Sequence, residues 1–165
     1  MKLVTRIIAT ACTAGLAAVL WTTSSADRPT GDTESVAGEA PGYAVEDYNY
    51  PNADRILAEK NIVLKRGDGH ILLADCASET GLLEVWARSK AKICFKVIGN
   101  SGWLTLEIPS VYAVKGSVDQ SAQVDMTVGT EEKSFDVAKN TWTGVGESAD
   151  PEGRDHILVE IRTSK

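Results

Sequence analysis

From residue 62 onward, apolar and polar positions alternate with a period of two, the spacing of strands whose two faces meet different surroundings. Ile62-Val63-Leu64 leads to Gly67-Asp68-Gly69, whose Asp-Gly step accepts positive φ. Residues 70–76 are expected to return as the partner strand of a hairpin. Leu83, Val85 and Ala87 alternate with Glu84, Trp86 and Arg88, and Ile93, Phe95 and Val97 with Cys94, Lys96 and Ile98. After a turn at Gly99-Asn100-Ser101-Gly102, Leu104, Leu106 and Ile108 alternate with Trp103, Thr105 and Glu107, up to Pro109, a residue suited to strand ends. Further strands are expected over 111–115, around Val124, Met126 and Val128, and around Phe135 and Val137 beyond a Gly129-Thr130-Glu131 turn. Two more follow over 140–145 and at Ile157, Val159 and Ile161, which alternate with Leu158, Glu160 and Arg162. One helix is predicted, over 53–60, with Asn52 as its cap and Ile56 and Leu57 turned inward.

Eight to ten short strands separated by Gly, Asn and Asp turns predict an all-β fold. The architecture expected is an antiparallel β-sandwich, jelly-roll or immunoglobulin-like in topology, rather than a closed barrel. No strand–helix–strand alternation calls for a parallel sheet. The domain spans residues 52–165, long enough for one core.

The N-terminus has a different pattern. Lys2 and Arg6 precede an uncharged, apolar or small stretch over 7–21, and Ser24-Ser25-Ala26 supplies the small residues of a cleavage site before Asp27. Residues 1–26 therefore read as a signal peptide, which places the protein outside the cytoplasmic membrane. The apolar run is about fifteen residues against the roughly twenty of a spanning helix, so no transmembrane anchor is expected in the mature chain. Cys12 would be lost with the peptide. Residues 27–51 carry Asp27, Asp32, Glu34, Glu39, Glu46 and Asp47 against Arg28, with several Gly and Pro and few large aliphatics. They read as a flexible acidic linker, whose Tyr43, Tyr48 and Tyr50 pack where the domain begins.

Cleavage would leave 15 basic against 23 acidic residues, a net charge of −8. Such a surface repels phosphate backbones and anionic headgroups, so no nucleic-acid partner is expected. Cys76 and Cys94 are the cysteines of the domain, and in an oxidising compartment they are expected to form a disulfide.

Nothing in the spacing calls for a metal or another cofactor. His70 and His156 stand at strand starts, expected to face solvent, without the spacing of a zinc site. Asp150, Glu152 and Asp155 offer oxygens that calcium takes, but a solvated acidic loop accounts for them equally well. Glu84 and Glu107 are polar members of alternating strands with no spacing that pairs them for hydrolysis. A turn accounts for Gly99-Asn100-Ser101-Gly102, and no Gly-x-Ser-x-Gly elbow is present.

The aromatic residues carry the sharper signal. Trp86 and Trp103 fall on the polar phase of their strands, beside Glu84 and Arg88 in one case and Thr105 and Glu107 in the other. An outward indole pair flanked by carboxylates is suited to stacking and hydrogen-bonding sugar rings. The rival account covers both indoles with the short helix or the linker tyrosines, as a satellite core. Trp142 is expected in the core. The expected function is a secreted, non-enzymatic sandwich that binds cell-envelope or extracellular polysaccharide, or a protein, through Trp86, Trp103, Glu84, Glu107 and Tyr112. The alternative is a small secreted hydrolase, or a hydrolase inhibitor presenting loop 99–102 or 146–154.

The signal segment, the acidic linker and the stretches Gly102-Trp103-Leu104-Thr105-Leu106-Glu107-Ile108-Pro109 and Lys139-Asn140-Thr141-Trp142-Thr143 resemble small secreted proteins of high-GC Gram-positive bacteria. The resemblance implies an exported, β-rich bacterial protein and carries no activity or site residues with it.

Overall fold

A computed structural model describes residues 47–165; the expected signal peptide and most of the expected linker lie outside those residues. One helix, α1 (Ala53–Lys60), is followed by ten strands. They are β1 (Val63–Gly67), β2 (Ile71–Ala74), β3 (Leu83–Ala87), β4 (Ile93–Val97), β5 (Ser101–Pro109), β6 (Val111–Lys115), β7 (Ser121–Val128), β8 (Glu131–Val137), β9 (Trp142–Gly144) and β10 (Ile157–Ser164). A 3₁₀ turn, Gly146–Ala149, lies between the last two. Among the described residues no helix is long and apolar enough to cross a membrane.

The strands form two five-stranded sheets, ordered β1-β5-β10-β7-β8 and β2-β4-β3-β6-β9, with every pairing antiparallel. The expected all-β sandwich is what forms. Alternation explains the layers directly. Leu83, Val85 and Ala87 of β3, Leu104, Leu106 and Ile108 of β5, and Val124 and Met126 of β7 are buried in one shared core. Fully burying each large aliphatic side chain stabilises the fold by about 1.5–3 kcal/mol, which commits one phase of each strand to the interior.

Only β3–β4 and β7–β8 are hairpins between consecutive strands, while six of the nine connections cross from one sheet to the other. The predicted hairpin at Gly67-Asp68-Gly69 is one of these crossings: β1 pairs with β5 and β2 with β4. The Asp-Gly turn does form, with Gly69 at φ 80°, but the next strand enters the opposite sheet. Asp68 holds the crossing, accepting the amide protons of His70 at 3.0 Å and Trp103 at 3.1 Å. Gly102 proves to be a strand residue that lets the layers approach. A Cβ there would lie 2.8 Å from the Cβ of His70, closer than side-chain carbons tolerate.

Three local expectations need correction. In β10 the inward residues are Leu158 and Ile161, while Ile157 is exposed, because the register shifts between Leu158 and Glu160 against both neighbouring strands. The extra residue of this bulge reverses the phase that strict alternation assigns. Helix α1 has the predicted bounds, but Asn52 sits at φ 57° and caps without its side chain. Ile56 faces the core and Leu57 faces solvent. The boundary with the linker also moves, since Asn49 bridges to Arg66 and Gly67 donates to the Tyr48 carbonyl at 2.9 Å.

Tyr50 extends this N-terminal arm into both sheets. Its amide donates to Lys65 of β1 at 2.9 Å, and its hydroxyl accepts the Leu73 amide of β2 at 2.6 Å. Burial raises the Tyr50 phenol above its ordinary pKa of 10.0, opposed in part by that amide bond.

The expected disulfide is present between Cys76 and Cys94, with their Cα atoms 5.2 Å apart. It ties the end of β2, an edge strand, to β4 beside it. The paired replacement Cys76→Ser, Cys94→Ser is expected to lower unfolding free energy by about 3 kcal/mol, the entropy released from a loop of this length. Urea denaturation of both forms measures it, and coincident midpoints would show that the bond adds nothing.

Candidate functional site

Strands β3, β6 and β9 lie side by side in the second sheet, and each contributes one aromatic ring to its outer face. On β3, Val85 and Ala87 are buried, so Trp86 between them points outward and remains 39% exposed. On β6, pairing passes from Trp86 opposite Ala113 to Ala87 opposite Val111, leaving Tyr112 as the extra residue of a bulge. That bulge is why Tyr112, next to the buried Val111, stands beside Trp86. On β9, Trp142 is 48% exposed.

The rings form one cluster. Trp86 and Trp142 meet nearly edge to face, with centroids 5.5 Å apart and planes at 85°. Trp86 and Tyr112 are 6.5 Å apart at 78°. Both pairs have the quadrupole-favoured geometry of aromatic contacts. The guanidinium of Arg88 lies 5.5 Å from the Tyr112 ring centre, a cation–π contact. Arg88 is itself held by Glu147 of the 3₁₀ turn, through Nε to Oε2 at 2.5 Å and Nη2 to Oε1 at 2.6 Å. The bidentate bond lowers the Glu147 pKa below its ordinary value and raises that of Arg88. Lys92 pairs with Glu84 at 3.0 Å on the same strand face. An open depression of about 410 Å³ beside the rings is lined by residues 86–90 together with Lys92 and Tyr112.

The sequence-predicted residues divide between the sheets. Trp86, Tyr112 and Glu84 belong to this face. Trp103 and Glu107 lie on β5, in the other sheet, where Trp103 packs 6.0 Å from Tyr48 and Glu107 pairs with Lys65. The expected partnership of Trp86 with Trp103 therefore does not form, because β3 and β5 belong to different layers. Trp142, expected in the core, supplies the second indole instead. Counting back in twos from the buried Val145 would have placed Trp142 on the outward phase.

A second polar cluster gathers in the loop before β10. His156, expected at the surface, is fully buried, donates from Nδ1 to the Arg154 carbonyl at 2.8 Å, and has Nε2 3.7 Å from Asp150 Oδ2. Asp150 accepts the Glu152 amide at 3.0 Å and Arg154 Nε at 2.8 Å, while Arg154 also reaches Glu131 at 3.2 Å. His70 lies in the opposite sheet's approach, on the β1–β2 crossing, so the two histidines are not gathered into a cleft. The oxygens of Asp150 and Glu152, considered for calcium, face the Arg154 guanidinium. Among the described residues no group of three or more His, Cys, Asp or Glu side chains is placed to hold a metal ion.

No protein-family model matches the chain, and no curated protein matches it. Residue roles therefore rest on geometry, and for the Asp150 cluster the geometry indicates loop anchorage. The Glu152 amide bond, followed by the Arg154 contact, holds Asp150 below its ordinary pKa of 3.8. A carboxyl lowered by folding contributes stability above its unfolded pKa and loses it as pH falls through the folded value. Asp150→Asn is thus expected to melt several degrees below the parent at pH 7, with the gap closing below about pH 4. Thermal melts across pH 2–8 measure it; a gap independent of pH would remove the ionic role.

Proposed function

We propose that the chain is an exported, non-enzymatic binding domain whose outer aromatic face docks a polysaccharide. The observation that supports this best is the convergence of Trp86, Tyr112 and Trp142 from three adjacent strands onto one solvent-facing surface. Leaving two large indoles 39% and 48% exposed forgoes burial that the fold would otherwise gain. Contiguous apolar surface rimmed by polar groups is characteristic of a surface that receives a partner.

The chemistry fits sugars. Aromatic faces stack against the C–H surface of a pyranose, and the neighbouring Arg88, Ser89, Lys92 and Glu84 supply donors and acceptors for its hydroxyls. The depression is open rather than enclosed, which suits a stretch of polymer more than a small molecule that must be surrounded. Strand positions and the Arg88–Glu147 clamp hold the rings in place before binding, which reduces the entropy lost on docking. The N-terminal segment, read as a signal peptide, would deliver such a domain to extracellular and cell-envelope glycans.

Trp86→Ala and Trp142→Ala are each expected to weaken glycan binding by roughly tenfold or more, about 1.4 kcal/mol, while the melting temperature moves by a few degrees at most. A glycan array followed by calorimetry on the best binder measures the first effect and thermal denaturation the second. Sharply lowered melting temperatures with undiminished binding would make the rings structural and overturn the reading.

A further inference from the structure

We infer that the polysaccharide taken by this face is anionic, its acidic groups held by Lys90 and Lys92 beside the aromatic rings. The inference rests on the polysaccharide reading above and adds the charge of the ligand. The chain as a whole has 23 acidic and 17 basic residues. The depression adjoining Trp86 and Tyr112 departs from that balance: its lining includes Arg88, Lys90 and Lys92 and no carboxylate. Like charges held together in a net-negative protein are unfavourable unless something of opposite sign offsets them.

The nearby acids offset only part of this charge. Glu147 is taken up by both arms of Arg88, and Asp155 also acts on Arg88 through space. Glu84 pairs with Lys92. Lys90 is different: its ammonium donates to the Asn61 carbonyl at 2.8 Å, a neutral acceptor that fixes the group without neutralising its charge. Glu59 and Asp75 line a neighbouring groove that Lys90 and Lys92 also border, together with Lys60 and Asn61, and neither acid lines the depression beside the rings. An anion entering beside Tyr112 would lie among the side chains of Arg88, Lys90 and Lys92 and would compete with Glu84 for Lys92. Placing a ring substituent there while the sugar stacks on Trp86 uses both halves of the site at once. Carboxylate and sulfate groups share this chemistry.

Isothermal calorimetry on the purified full chain tests it with four polymers: polygalacturonate, its fully methyl-esterified form, dextran sulfate and neutral dextran. At least one acidic polymer is expected to bind roughly tenfold or more tighter than its uncharged counterpart, with carboxylate and sulfate told apart by which acidic polymer is preferred. Lys90→Gln is expected to remove several-fold of that preference, Lys90→Arg to restore it, and added salt to weaken it. Equal affinity for charged and uncharged partners overturns the inference and leaves the aromatic reading intact. Binding to neutral glycans alone on the array has the same meaning. Acidic-polymer binding that survives both Trp86→Ala and Lys90→Gln places the contact elsewhere and overturns it. No binding to any polymer or array glycan removes the aromatic reading and the inference together.

Discussion

Water is excluded from one continuous layer in which Leu83, Val85 and Phe95 of the second sheet share a cluster with Leu104, Leu106 and Ile161 of the first. Each of these side chains is fully buried. Because successive strand residues point to opposite faces, filling that layer decides what the outer faces carry. Trp86 is outside because Val85 and Ala87 are inside. The exposed aromatic face is thus a consequence of the core, and any change that slipped β3 by one residue would exchange the two.

The layer is also what makes the connections cross. A chain that moves between sheets six times stitches them together at both ends, and each crossing needs its own local device. Asp68 ties the first crossing to the Trp103 amide. Gly102 permits contact with His70 where a side chain would not fit. Tyr50 joins β1 through its amide and β2 through its hydroxyl. Buried Asp150 and the half-buried Arg154 hold the last loop at the entrance to β10. Asp68 and the Tyr50 hydroxyl are satisfied by backbone amides, and Asp150 by one amide and the Arg154 guanidinium, which is how interiors accommodate polar groups without large cost.

The aromatic face depends on departures from regular pairing as much as on pairing itself. The bulge opposite Trp86 turns Tyr112 outward, and the 3₁₀ turn brings Glu147 within reach of Arg88 from 59 residues away. Arg88 then spans from that turn to the Tyr112 ring. A rigid constellation results from a short edge strand, a bulge and one loop, none of which adds much to the core. Surface features of this kind are free to answer to a ligand, because the fold does not need them.

Local chemistry determined a good deal. Period-two alternation identified the strands and the inward residues of β3, β5 and β7, because burying one face of a sheet imposes that pattern on any sequence that folds so. Two domain cysteines in a chain whose N-terminus reads as a signal peptide predicted the disulfide that forms, and Trp86 and Glu84 were legible as outward residues of β3, whereas the outward turn of Tyr112 depends on the β6 bulge. What only tertiary structure decided was adjacency. Alternation says which way a side chain points relative to its own strand and nothing about which sheet the strand joins. Trp103 therefore separated from Trp86, Trp142 took its place, and His156 went to the interior. The bulges in β6 and β10 were hidden for the same reason, since an extra residue is defined only against the strand it pairs with.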